Sequence, residues 1–377
     1  MPERGGLGFG RREAGRAGSS SGSSGSGTPE RPWPEGAPRL DDDLAASLLP
    51  SRDSRGHKGS FGKLLVVAGS IDYAGAALLV CRAAGRTGVG LVTLAVPESL
   101  QPLFAAKVVE ATTMALPEDD VEEVDPEPSL ARILDHEHDA MVVGPGLRPG
   151  LATAELVRLL LTPPGDDPPP LVLDAEALRA LASFEGWWEG DRRPAVLTPH
   201  VGEFRRLRAG SDADPDADGD LGEDDDARVR ATVAAAAAWH QVVVLKGART
   251  VVAAPDGQLA VAPFENPALA SGGTGDVLAG TIGALLAQGL TPFDAARLGV
   301  ALHGAAGESV RERFGDAGVL ASDLPDGLAI ARKRLAALAD RRRTGSRLGF
   351  GVRETAGGSE TPSADAAQAA GEGGSAR

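Results

Sequence analysis

Six short runs of the chain are apolar without alternation: 63–68 (KLLVVA), 91–96 (LVTLAV), 140–143 (AMVV), 171–173 (LVL), 195–198 (AVLT) and 242–245 (VVVL). A strand that meets solvent on one face alternates apolar with polar residues, whereas a strand covered on both faces does not, so these runs predict a parallel sheet between helical layers. Between and after them the spacing predicts helices over 75–87, 151–161, 175–183, 227–239, 275–288 and 292–313. Strands alternating with helices through short connections predict a doubly wound, three-layer α/β/α fold with a mostly parallel central sheet. Ligands of such sheets sit beyond the carboxyl ends of the strands.

Small and polar residues follow those strand ends. The run 63–68 leads into Gly69, Ser70 and then Tyr73 to Ala77; 140–143 into Gly144-Pro145-Gly146; 171–173 into Asp174; 195–198 into Pro199-His200-Val201-Gly202-Glu203; and 242–245 into Lys246-Gly247-Ala248-Arg249-Thr250. Each loop has a structural explanation on its own, with Gly and Pro as turn formers and Asp174 and Thr198 as helix caps. Together at one sheet edge they predict a single crevice. Position 149 is Pro, so Gly144-Pro145-Gly146 does not complete a dinucleotide fingerprint, and no GxxxxGK[ST] is present.

One stretch, NPALASGGTGDVLAGTIGALLAQ at 266–288, passes from tiny residues straight into an Ala-rich apolar helix. Glycine lets the backbone turn its N–H groups toward a ligand, and the helix adds the positive end of its dipole, so Gly272, Gly273, Thr274 and Gly275 predict an anion hole. Asp276 falls in the first helical turn. A carboxylate there suits a base acting on a hydroxyl that receives a phosphoryl group, or it merely caps the helix.

Composition narrows the setting. Residues 1–40 and 341–377 are rich in Gly, Ser, Arg and Pro or Ala without apolar periodicity and predict unstructured tails around a single domain at 41–340. A net charge of −15 leaves no basic face for nucleic acid. No apolar run reaches the length of a membrane span, and the single Cys81 leaves no internal disulfide and no Cys-based zinc site, which fits a cytoplasmic protein. The acidic stretch 211–226 begins like an EF-hand loop at Asp214-x-Asp216-x-Asp218-Gly219, but position 12 would be Asp225 rather than Glu, so a solvated acidic loop is expected and no metal site is assigned.

With these motifs placed, the chain resembles the NAD(P)H-hydrate dehydratases of the ribokinase-like superfamily from about His57 to about Arg334. The resemblance rests on HKGSFGKLLVVAGS, VGPGL, LVLDAEAL, LTPHVGEF, VVVLKGART and the 266–289 block. It implies a ribokinase-like fold and repair of hydrated NADH or NADPH with ADP or ATP as co-substrate and Mg²⁺ as cofactor: the ring hydroxyl is phosphorylated and phosphate then leaves as the ring double bond reforms. Position by position, it implies Asp276 as the base that also touches the hydrate, and Ala76, Gly146 and His200 as substrate contacts. It places Lys246, Gly247, Ala248, Arg249, Thr250 and Gly275 on the nucleotide, with Asn266 and Glu203 as indirect support for Mg²⁺. His200 has a second reading as a helix cap near Glu203. The sequence departs from the family at Arg148, Val201 and Ala268, all beside contact positions. The resemblance also implies a homo-oligomer, a tetramer by analogy with the family; a tail in place of an N-terminal epimerase domain predicts no epimerase activity. The alternatives are a small-molecule kinase of the same superfamily, acting on a hydroxymethylpyrimidine, a thiazole alcohol or a sugar, and a non-catalytic nucleotide sensor.

Overall fold

The computed structural model describes residues 31–165, 168–190, 192–209 and 219–348. Strands β1 (Lys63–Val67), β2 (Leu91–Pro97), β3 (Thr112–Leu116), β6 (Ala140–Val143), β7 (Leu171–Leu173), β8 (Ala195–Leu197), β9 (Val242–Leu245), β10 (Val251–Ala253) and β11 (Leu259–Val261) form one sheet, and β4 (Glu118–Asp120) pairs with β5 (Glu123–Val124) in a separate hairpin. The order across the large sheet is β11-β10-β9-β8-β7-β6-β1-β2-β3. All neighbours from β3 through β9 are parallel, and β10 and β11 turn back antiparallel. All six predicted strands are present.

Because side chains alternate along a strand, each strand feeds two cores. Leu64, Val66, Val142, Val172 and Val244 face one layer, made of α1 (Asp42–Ser47), α2 (Ala74–Thr87), α9 (Thr274–Ala287), α10 (Pro292–Phe314) and α11 (Leu324–Leu348). Leu65, Val67, Met141, Val143, Leu173 and Leu245 face the other, made of α4 (Pro126–Leu134), α5 (Leu151–Leu161), α6 (Glu176–Leu181), α7 (Val201–Ala209) and α8 (Asp225–Trp239). The continuous apolar runs are the record of that double burial. A short α3 (Gln101–Ala105) inserts Phe104 under the first loop, against Gly69.

Several elements depart from the expectation. Strands β3, β10 and β11 lie outside the predicted set: β3 opens on two threonines, and β10 and β11 turn back antiparallel. Part of the expected N-terminal tail is bound: Leu40 N–H donates to the Val261 carbonyl at 2.8 Å, and Arg39 bridges to Val261. Residues 341–348 continue α11 instead of starting a tail, and the remainder of both tails lies outside the described residues. Within the acidic stretch, residues 211–218 are also outside them, but Leu221 is fully buried, Asp224 caps α8, and Asp225 pairs with Arg249 at 3.1 Å. Among the described residues no helix is long and apolar enough to cross a membrane.

Candidate active site

The chain runs outward from β1 toward β3 and outward from β6 toward β11, so the crossover lies between β1 and β6, where a crevice opens beyond the strand ends. The loops after these two strands are tied together there: Gly69 N–H donates to the Pro145 carbonyl at 2.9 Å. A Cβ on Gly146, whose φ is +67°, would lie 2.6 Å from the Tyr73 carbonyl oxygen and 2.9 Å from Ala76 Cβ. The two predicted substrate positions, Ala76 and Gly146, are therefore neighbours, and a side chain at 146 would force the loops apart.

Helix α9 starts at the same edge. Gly273 adopts φ +90°, and a Cβ there would lie 2.7 Å from Leu79 Cδ1 of α2. The Thr274 hydroxyl donates to the Leu269 and Ser271 carbonyls at 2.7 and 3.0 Å, so it shapes the turn. What faces an anion is backbone: the N–H groups of Gly272, Gly273, Gly275 and Asp276 have no backbone acceptor.

Three charged side chains meet beside this turn. Lys246 Nζ donates to Asp174 Oδ1 at 2.7 Å and lies 3.8 Å from Glu203 Oε2. A Cβ on Gly275 would be 3.4 Å from Lys246 Nζ and 3.8 Å from Asp174 Oδ2. Burial, and then the negative charge of Asp174, push the Asp276 carboxyl up to about 7, with Lys246 pulling the other way. For Lys246, burial disfavours the ammonium, but the attractions of Asp174, Glu203 and Asp276 outweigh it and raise its pKa. A half-buried carboxyl whose pKa is pushed up to about 7, beside a turn with free backbone N–H groups, is matched to taking a proton from an alcohol.

Beside the turn opens a cleft of about 450 Å³. Lys246, Gly247, Ala248, Thr250, Asn266 and Gly275 line its polar side, and Phe264, Pro267, Leu269, Leu278 and Val300 its apolar side. Arg249 is a departure from the expected nucleotide contacts. Its guanidinium is buried and donates to the carbonyls of Arg31 and Pro32 and to Asp225, and it pairs with Glu265. Its neighbours in the KGART run line the cleft; Arg249 braces them from behind.

His200 follows its capping reading. Its Nδ1 accepts from Gly202 N–H at 3.0 Å, while Glu203 Oε2 accepts from His200 N–H at 2.9 Å, a reciprocal cap on α7. The ring is still 57% exposed, with Nε2 at 3.5 Å from Glu203 Oε1, and a backbone bridge joins His200 to Lys246. Asp174, expected as a helix cap, holds Lys246 instead. Sequence reasoning missed His303, which lines the cleft from α10; it is a single polar residue in an otherwise apolar helical run, a pattern with no signal of its own. Among the described residues no three His, Cys, Asp or Glu side chains converge as a metal cage.

Residues 64–329 match the model of the family described as NAD(P)H-hydrate dehydratase. A bifunctional NAD(P)H-hydrate repair enzyme of Moorella thermoacetica is 42% identical over 77% of this chain and 52% of its own length. An ADP-dependent (S)-NAD(P)H-hydrate dehydratase of Neisseria meningitidis is 36% identical over 76% of this chain and 90% of its own. The chain spans about half the length of the bifunctional relatives it matches. Among solved structures, an ADP/ATP-dependent NAD(P)H-hydrate dehydratase from Bacillus subtilis, co-crystallized with ATP/Mg²⁺, superposes with a TM-score of 0.66 at 33% identity, over 80% of this chain and 99% of that one. A ribokinase-like superfamily protein from Enterococcus faecalis has the same fold, with a TM-score of 0.66 at 24% identity, over 81% of this chain and 99% of that one.

Proposed function

The chain belongs to the NAD(P)H-hydrate dehydratase family, and from that premise we propose that it restores NAD(P)H from its hydrated form at the expense of ADP or ATP, as a hydro-lyase that works by phosphoryl transfer. The observation that carries this reading is the half-buried Asp276 carboxyl, its pKa pushed up to about 7, in the first turn of a helix whose N–H groups there have no backbone acceptor and suit an anion. Nucleotide lies in the 450 Å³ cleft, its phosphates against the turn and Lys246. The hydrate enters beside Ala76, Gly146 and the exposed edge of His200. Asp276 takes the proton of the ring hydroxyl as that oxygen attacks the terminal phosphorus and the bond from phosphorus to the bridging oxygen breaks, releasing the nucleotide one phosphate shorter, while the Gly272–Gly275 backbone stabilises the charge spread over the transferring group. The phosphate then leaves with its bonding pair as the ring nitrogen's lone pair forms the iminium, and loss of a ring proton restores the dihydronicotinamide.

Mg²⁺ supplies neutralisation of the phosphate charge when bound. The residues fit a metal carried mainly by the nucleotide: Asp174 and Glu203 stand beside Lys246, and there is no protein-only cage among the described residues. Asn266 is not a free metal ligand, because its Oδ1 already accepts from Ala268 N–H and its Nδ2 is buried without a hydrogen-bond partner. The domain doing this work spans 41–340, braced by residues 31–40, and we place it in the cytoplasm, with assembly into homo-oligomers. The small-molecule kinase reading is less well supported, since the chain's relatives carry the dehydratase name. Incubating hydrated NADH with ADP or ATP and Mg²⁺ tests the proposal: reduced-nicotinamide absorbance returns if it is right, and nucleotide consumed only with an alcohol such as a vitamin precursor supports the kinase.

A further inference from the structure

His303 is enclosed between α10 and the first turn of α9, and its Nε2 lies 2.9 Å from the Thr274 carbonyl oxygen. A carbonyl only accepts, so Nε2 carries the hydrogen. Burial pushes the ring's pKa down to about 4; the bond to Thr274 opposes this and the charge of Lys246 adds to it, so the imidazole is neutral at ordinary pH and has a single N–H. Nδ1 is therefore a bare acceptor. It makes no hydrogen bond to any described residue, and it is not among the sealed polar atoms of the interior, so it is open to the cleft the residue lines.

Around it the cleft is apolar and flat-walled, with Phe264, Leu269, Leu278 and Val300. Phe264 is pressed onto Gly304, where a Cβ would lie 2.1 Å from its ring, so the next residue after His303 must be tiny for the wall to close. Thr250 and Glu265 give the cleft polar edges, and its apolar wall beside the bare Nδ1 acceptor suits an aromatic base that presents an N–H donor.

We propose that His303 sets the base specificity of the nucleotide cleft: Nδ1 accepts from the exocyclic amino group of a 6-amino purine and disfavours a 6-oxo purine, which presents a carbonyl there. This rests on the nucleotide-dependent reading above. The bond to Thr274 fixes the ring's tautomer and ties base recognition to the turn that holds the phosphates.

The test is equilibrium binding of ADP and IDP to the full chain by calorimetry, without hydrate. The intact protein is expected to bind ADP roughly tenfold more tightly than IDP, the size of one well-placed hydrogen bond lost to an unpaired acceptor. His303→Phe keeps the bulk of the ring and removes the acceptor, so the ADP-over-IDP ratio should fall to about one, with loss of the bond to Thr274 acting on both nucleotides alike; thermal unfolding checks that the variant is folded. A second variant, His303→Asn, keeps an acceptor near Nδ1 and should retain part of the preference. Equal binding of ADP and IDP by the intact protein, an undiminished preference in His303→Phe, or no binding of either nucleotide would overturn the proposal. Binding is read without turnover, so a retained ADP preference in a protein that cannot restore NADH counts against the dehydratase reading alone.

Discussion

At Asp276 the proposed chemistry puts two demands on one half-buried carboxyl: it must stand beside the free N–H groups of the turn, and it must be deprotonated near neutral pH. Burial and Asp174 raise its pKa, and Lys246 limits the rise. Asp276→Asn should lower turnover by about 10²–10⁴ while leaving ADP binding largely intact, as measured by steady-state kinetics and calorimetry. The same shift has a stability sign. A carboxyl that holds its proton more tightly when folded favours the native state below its unfolded pKa near 4, and that contribution is lost as pH rises through about 7. The Asn variant should therefore gain thermal stability relative to the parent as pH rises from 4 to 7, and a constant difference across that range would contradict the shift. Removing the neighbouring charge works the other way on the rate: Asp174→Asn should move the acidic limb of the pH–rate profile to lower pH. His200→Ala should raise the KM for the hydrate, with loss of the α7 cap lowering stability by about 1 kcal/mol.

Helices α2 and α9 set the site by their closeness. A Cβ on Gly280 would lie 2.4 Å from the Val80 carbonyl, and one on Gly283 would lie 2.3 Å from Val142 Cγ2. Gly280→Ala should destabilise the fold by roughly 1–3 kcal/mol in denaturant unfolding, because a backbone atom cannot yield as a side chain can. These elements also show what was legible beforehand. The strands buried on both faces were readable because position alternation disappears from them, and the turn at 272–275 because glycine and a following helix announce themselves. Helix α7 was underestimated because its apolar face is only Phe204 and Leu207 among arginines and a glutamate. Strand β3 opens on Thr112 and Thr113, which break its apolar run, whereas β10 and β11 are as short and as apolar as β7, so length does not explain why they fell outside the predicted set. At the site, Lys246, Gly275 and Asp276 were readable from type and spacing. The pairing of Asp174 with Lys246, and the turn of Arg249 away from the cleft, depend on side-chain directions across 72 and 218 residues of chain, which no local pattern encodes.

At the scale of the molecule, the 246–250 loop is held from both sides: by Asp174 through Lys246, and by the N-terminal segment through Arg249. Trp33 packs under the Arg249 guanidinium at 5.5 Å, and Arg31 and Pro32 accept from it. Arg249→Leu leaves Asp225 and two carbonyls without their donor, and should lower stability by roughly 2–3 kcal/mol and raise the KM for ADP more than it changes kcat. The account as a whole stands on a phosphoryl-accepting hydroxyl activated by Asp276 in a dehydration. The most direct measurement is recovery of reduced-nicotinamide absorbance from hydrated NADH with ADP or ATP and Mg²⁺, run side by side with the parent protein and Asp276→Asn. The parent should restore the absorbance in step with nucleotide consumption, and the variant should be slowed at least about a hundredfold while still binding nucleotide; equal rates from the two proteins, or nucleotide consumed with no return of absorbance, would contradict it.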